Sequence, residues 1–586
     1  MKRLYNTFVF AILILAVSSC KDDFLDRPPK DQIDSEFFFN TVKDLELATN
    51  DFYPMLSPTS VYNDDNASDN IVPLISNERI RGGRIVPTNR GSGGWSWGRL
   101  RDINFFLANY KKVDDEAAQA KYGGIARFFR AYFYFDKVQR FGDVPWYSKV
   151  LEAGDPDLYK ARDSRKLVMD SVLADIDFAI ENIPAEIQLN RITKYTALFL
   201  KARIALYEGT FRKYHNLGDH EKFLEEAVSA SEALIATGAY RLFTTGGKDK
   251  AYRDLFARNN QDATETILAA DYEDALVAHS LAQTMVSPTL GSWGITKDLI
   301  NSYLMSDGSR FTDKANYKTK GFYEEMQNRD PRLTQTTAGP NFVVNGETQR
   351  EPVTLNATTT GYRVIKALPS RDQWSRSYFD IIVFRYAEAL LILAEAKAEL
   401  GIITQADLDN TINKLRDRVA MPYLNMASAN ANPDPFLEAM YPNVSGNFKG
   451  LILEIRRERR IEMFNEGLRW DDLMRWKAGN KIEQPMVGIY FSGLGSYDFN
   501  GDGIFDVYVH DGNTSGAPSS VTAFINITQR KLRDPITGEQ GGTKGNLDPF
   551  PLGGSFDDVD DKDYYYPLPI EDLKLNTNLD QNRGWD

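Results

Sequence analysis

Cysteine is almost absent: Cys20 is the single one in 586 residues. That excludes an internal disulfide and a thiolate metal cluster, and leaves the fold to its hydrophobic core, which a chain of this length can build. Histidine is also scarce, with His215, His220, His279 and His510 the complete set. None stands in an H-E-x-x-H pattern, and G-x-S-x-G and phosphate-loop patterns are missing too, so catalysis of those classes has no sequence support. Basic charge is in deficit: 69 Lys and Arg stand against 82 Asp and Glu, a net charge of −13. An acidic surface repels phosphate backbones, which argues against nucleic acid as a partner. Beyond the first twenty residues no apolar run of about 18 residues appears, so no further membrane segment is expected.

The N-terminus is the informative end. Lys2 and Arg3 precede an apolar stretch at residues 8–17, the length of a signal-peptide core and too short to span a bilayer. It ends in Val17-Ser18-Ser19-Cys20, small residues before a cysteine, the pattern of a bacterial lipobox. The expectation is cleavage before Cys20 and acylation of its thiol, with residues 1–19 removed and residues 20–40 forming a lipidated tether. Losing Lys2 and Arg3 makes the remainder more acidic still. Lys21-Asp22-Asp23, a lysine and acids after the acylated cysteine, resembles a surface-export signal of Bacteroidetes lipoproteins; a solvated tether would read the same way.

Residues 41–586 are expected to form one domain. From about 100 to 240 the pattern is helical: Val172, Ile176, Ala179, Ile180 and Ile183 fall on one stripe, and similar amphipathic segments run through 125–138, 195–207 and 223–235. Turn signals at Phe141-Gly142-Asp143 and Leu217-Gly218-Asp219 separate them. Paired helices of this size predict a tetratricopeptide-like stack, although no strict period recurs. Residues 243–373 read as loops with a few short strands. Helices are predicted again at 378–400, 405–419 and 448–477, and the last hundred residues are loop-rich, as functional regions often are.

Several strings, in order along nearly the whole chain, resemble the SusD/RagB family of nutrient-binding outer-membrane lipoproteins. They are FLDRPP at 24–29, FRAYFYFDKVQRFGDVPW at 129–146, NRDPRL at 328–333 and VFRYAEALLILAEA at 383–396. ERRIEMFNEGLRWDDLMRW at 458–476 and YYYPLPIEDLKLNTNLDQNRGW at 564–585 complete the set. Read physically these strings are scaffold. In 458–476 the arginines and glutamates stand at spacings that allow ion pairs within one helix, with Ile461, Phe464 and Leu468 on one side for packing.

The resemblance implies a mostly α, tetratricopeptide-containing platform that sits on a SusC-like TonB-dependent transporter barrel and captures oligosaccharides for import. It implies binding without hydrolysis. A peptide or other small nutrient on the same platform is the alternative cargo. A surface glycosidase is a third reading, resting only on the abundance of carboxylates, since two of them about 5–10 Å apart across a sugar would be needed.

A glycan site needs exposed aromatic faces beside polar side chains. The best cluster is Trp95 and Trp97 after a glycine-rich stretch, with Arg79, Arg81, Asp69 and Asn70 upstream; the resemblance implies that this loop carries ligand-contacting aromatics. Two residues apart, both indoles fall on one side of an extended segment. Trp95 is the first choice, and Trp97, at the start of the next helix, is equally placed for packing. Trp293, between Gly291 and Gly294, is either a stacking residue or a loop anchor. Trp374 and Tyr490 are weaker choices, and Trp146, Trp470, Trp476 and Trp585 belong to scaffold strings.

Residues 498–506, DFNGDGIFD, alternate oxygen side chains around a turn: Asp498, Asn500, Asp502 and Asp506, with the Ile504 carbonyl between. This resembles a calcium loop, but Val509 stands where an EF-hand has its bidentate glutamate, so the expectation is a structural Ca2+ or an acidic turn without an ion. The acidic run 557–563 lacks the alternation and reads as a solvated surface.

Overall fold

The computed structural model describes residues 38–586. Cys20, the Lys21-Asp22-Asp23 run and the string at 24–29 lie outside the described residues.

The fold is mostly helical. Helix α1 (Gly98–Asn109) leads into α2 (Glu116–Phe141), followed by α3 (Arg165–Asn182), α4 (Lys194–Tyr214) and α5 (His220–Ala236). The starts are set by local chemistry: Asp115 caps α2, Ser164 caps α3 and Thr193 forms a capping box on α4, each accepting an orphan backbone N–H. Each helix packs on the next, α2 on α3, α3 on α4 and α4 on α5. The apolar stripe of α3 is buried through Val172, Ile176 and Ala179 as its period predicts.

The stack continues through a chain crossing. Helix α6 (Tyr386–Glu399) packs on α4 and α5, and α7 (Lys449–Glu462) packs on α6; α8 (Arg469–Arg475) returns against α4. Three predicted helices differ from their patterns, and the one at 405–419 is split at Thr411 into Gln405–Asn410 and Ile412–Arg418. Residues 381–385 form strand β4 instead, because they pair antiparallel with β2 (Thr266–Ala270), which supplies the partner that the sequence pattern cannot reveal. The span 448–477 breaks at 463–468, where Asn465 and Gly467 take positive φ.

The other strands are short. β1 (Ile71–Val72) pairs antiparallel with β3 (Gly294–Ile295), joining the N-terminal segment to the loop-rich region. β5 (Tyr490–Phe491), β9 (Leu532–Arg533) and β10 (Gly545–Leu547) form one sheet in the order β5-β10-β9. β6 (Gly495–Tyr497) and β8 (Ala523–Asn526) flank β7 (Val507–His510), antiparallel and parallel respectively. Two main apolar clusters result, one inside the helix stack and one, centred on Trp293, Tyr252, Phe379 and Ile489, inside the loop-rich half.

A spine of buried charge joins the two halves. From Gly450 to Glu462 every residue of α7 is buried, including Arg456, Arg457, Arg459 and Arg460. The pairs expected within one helix are mostly replaced by pairs to other elements. Arg459 bonds Asp472, and Arg332 bonds Asp330 and Glu458. Arg385 bridges Glu265, Glu462 and Glu466. Arg456 is caged by rings, its guanidinium 4.4 Å from the Trp476 centroid and 4.7 Å from that of Tyr214. The scaffold reading of 458–476 thus holds, with most of its charges paired to elements beyond their own helix and a few, such as Arg475 with Asp472, paired within it.

Candidate functional site

The glycine-rich loop before α1 is clamped from below by α2. Lys137 donates from Nζ to the Gly94 carbonyl at 2.8 Å and Arg140 from Nε to the Gly93 carbonyl at 2.6 Å. Gly94 takes φ +92°, and a Cβ there would meet the Arg140 side chain at 2.8 Å, so both conformation and space demand glycine. The loop delivers the two indoles in edge-to-face contact, centroids 5.2 Å apart.

Both indoles line one cavity, and Trp97 is the more exposed of the two. Trp95 packs on Phe141 and is 3% exposed, a core residue that still lines the cavity described next. Trp97 is half-buried, lying on Phe133, Tyr134 and Tyr147, and keeps an open face. In front of it is a cavity of about 390 Å³, walled by the start of α1, the segment after the GDVPW string and the C-terminal segment. Tyr147, Lys149, Leu158, Tyr159, Asp572 and Leu575 come from those distant walls, and Arg90 and Arg101 stand at the near one. Sequence reasoning missed all of these; their signal was proximity to two family strings, 129–146 and 564–585. The C-terminal wall is fixed by backbone bonds, Ile570 N–H to the Pro87 carbonyl at 2.9 Å, and by Asp572 Oδ2 accepting the Gly91 N–H at 2.7 Å.

The remaining sequence candidates lie elsewhere. Trp293 is 1% exposed in the second core, so it presents no face for stacking; Gly294 beside it pairs with Val72 in β3. Asp69 and Asn70 are buried in the ion spine. Arg469 grips Asp69 with two bonds, 2.6 and 2.8 Å, and Arg460 donates to both residues. Burial alone would raise the Asp69 carboxyl, but Arg460 and Arg469 overcome it and hold it well below the ordinary carboxylate range. Arg79 is half-buried, bonded from Nε to the Tyr566 hydroxyl at 2.9 Å, and lines a separate polar cavity of about 520 Å³ with Asp64, Asp136 and Asp471. Arg81 is exposed and lines neither cavity. Trp470, Trp476 and Trp585 are buried and Trp146 packs on Tyr134, as their scaffold strings imply.

The loop 498–506 joins β6 to β7. Its oxygens serve its own backbone: the Asp498 carboxylate accepts the N–H groups of Asn500, Gly501 and Gly503, Asn500 that of Asp502, and Asp502 that of Ile504. Asp506 accepts from Phe499 N–H and faces the Arg350 guanidinium at 3.3 Å, which is also 4.0 Å from Asp502. Among the described residues no three His, Cys, Asp or Glu side chains converge as a metal-binding group. Asp498, Asn500, Asp502, Ile504 and Asp506 are thus brought to one turn without forming an assembled ligand set. In the run 557–563, Asp563 is buried and pairs with Arg84 at 3.6 Å, so that stretch is only partly a solvated surface.

Comparison with known proteins places this architecture. Residues 239–585, more than half the chain, match the sequence profile of the SusD family. The SusD-like protein P38 of Formosa agariphila is 25% identical over 519 residues, covering 83% of this chain and 94% of that protein. A SusD-like carbohydrate binding protein from Bacteroides fragilis superposes with a TM-score of 0.66 at 20% identity, over 93% of this chain and 100% of that one. A laminarin binding SusD-like protein superposes at 0.53 and 17% identity, over 93% and 100%. The chain belongs to the SusD family.

Proposed function

We propose that this chain is a cell-surface lipoprotein, anchored through Cys20, that captures an oligosaccharide in the cavity beside Trp97 and passes it to a TonB-dependent outer-membrane transporter. The observation that carries the reading is the cavity itself: open faces of Trp97 and Tyr159 and a Tyr147 wall surround a space of about 390 Å³ with charged groups at its mouth. Sugar rings pack their C–H faces on such planes. The carbohydrate- and laminarin-binding relatives support a glycan over other cargo. Acyl chains on Cys20 are the membrane attachment in this reading; among the described residues no helix is long and apolar enough to cross a membrane.

The cavity binds without hydrolysis in this account. Its lining holds one carboxylate, Asp572, already accepting the Gly91 N–H, whereas glycoside cleavage uses a pair. Burial pushes the Tyr147 hydroxyl up to about 12, so it stays protonated at neutral pH. The test is a glycan array probed with the purified protein. Binding to a chemically related group of glycans is expected, and a blank array would move the assignment to non-carbohydrate cargo.

A further inference from the structure

We propose that the Trp97 cavity selects an anionic oligosaccharide, one carrying uronate carboxylates or sulfate esters. The inference rests on the glycan-capture reading above and names its ligand class.

The argument is an account of which polar groups remain free. A site for neutral sugars presents amides and carboxylates to hydroxyl groups, and here the amides are spent. Asn104 donates to the carbonyls of Tyr147 and Lys149 at 2.9 and 3.2 Å and accepts from Arg130 at 3.1 Å. Asn576 donates to the Lys160 carbonyl at 2.9 Å and accepts the Asn578 N–H at 3.1 Å. Asp572 is occupied by the loop backbone.

Besides the hydroxyls of Tyr147 and Tyr159, charged donors are what is left. Arg90 and Arg101 are exposed at the mouth, and neither side chain makes a hydrogen bond or ion pair within the described residues. Lys149 joins them, although Asp155 and Asp157 at 3.1 and 2.9 Å offset its charge. Past Asn104 and Lys149 the cavity continues into a second hollow of about 410 Å³, whose lining adds Lys111, Arg127 and Arg130 and no carboxylate. Asp175 holds Arg127 and Arg130, and Lys111, 5.9 Å from the Tyr110 ring centroid, has no carboxylate partner there among the described residues. The chain as a whole is acidic, at −13, so two arginines without an ion pair among the described residues, Arg90 and Arg101, beside an aromatic-walled hollow stand out from their background. A guanidinium matches the fork of a carboxylate or sulfate with two parallel bonds, which a neutral hydroxyl cannot return.

The test is calorimetric titration of the purified full-length protein with three oligosaccharides of equal length: a neutral β-glucan, an oligo-uronate and a sulfated oligomer. One anionic oligomer is expected to bind at least about tenfold tighter than the neutral one, and to weaken as salt rises from about 50 to about 500 mM. Which of the two wins separates carboxylate from sulfate. In the double variant Arg90→Gln/Arg101→Gln the ratio of anionic to neutral affinity should fall about tenfold. An unchanged melting temperature would show that the fold is kept. A neutral oligomer bound as tightly as both anions, or a ratio untouched by the double variant, overturns the selectivity and leaves glycan capture standing. Binding to none of the three, with a blank array, overturns both.

Discussion

Arginine occupies two opposite settings in this molecule. In the spine, Arg469 and Arg460 are buried and saturated, converging on Asp69 with Tyr441, Asn70, Asp298 and Ser302 completing their bonds. At the cavity mouth, the Arg90 and Arg101 side chains are exposed and make no hydrogen bond or ion pair among the described residues. In the first setting every guanidinium nitrogen of Arg460 and Arg469 meets an acceptor inside the fold, which leaves nothing to offer a ligand. The second contributes little to folding and keeps its whole bonding capacity for an incoming group. The family strings record the first setting, which is why they identify the scaffold and leave the cargo unnamed.

The largest effect should come from breaking the spine. Arg469→Ala leaves Asp69 buried with only Arg460 for company, and should cost about 3–5 kcal/mol in denaturant unfolding. A loss below about 1 kcal/mol would mean the spine is not what joins the two halves.

Next come the tryptophans, where the contrast is between stability and binding. Trp293→Ala should cost about 3–5 kcal/mol of stability through the cavity it leaves, acting on binding only through unfolding. Trp97→Ala should weaken glycan affinity by up to about tenfold at a smaller cost in stability. If Trp293→Ala folds normally and loses the glycan, the two roles are exchanged.

A smaller effect concerns pH. Burial pushes the Asp65 carboxyl up to about 7 from 3.8, against backbone N–H bonds from Asn465 and Arg469 that favour its charge. The folded state therefore keeps a proton that the unfolded chain releases. Its relative stability is fullest below the unfolded value and declines as pH rises toward about 7. Asp65→Asn should flatten the stability profile between about pH 4 and about pH 7, the window those values bound, when melting temperatures of variant and wild type are subtracted. A difference profile without slope would contradict the shift.

Smallest of all is the expected response to calcium. With Arg350 facing Asp506 and the other oxygens bonded to the loop backbone, added Ca2+ should move the melting temperature by less than about 1 °C. A rise of several degrees, reversed by chelator, would show that the loop rearranges into an ion site.

Much of the fold was legible because helix stripes and capping residues act locally: α3 and its neighbours lie where their periods place them. What escaped was set by distant partners. Asp69 looks like a free polar residue until Arg469, four hundred positions on, is brought against it. Glycines around Trp293 look like a loop until β3 pairs with β1. The cavity was half visible, since Trp97 announced an aromatic face, but Lys149, Tyr159 and Asp572 meet it only through tertiary packing.

The most direct test of the central claim is a crystal structure of the protein soaked with its best glycan from the array. The account predicts sugar rings against Trp97 and Tyr147, with Arg90 or Arg101 within hydrogen-bond distance. Sugar seated instead in the open hollow of about 820 Å³ around Asn190, Tyr272 and Asp380, with the Trp97 cavity empty, would contradict it.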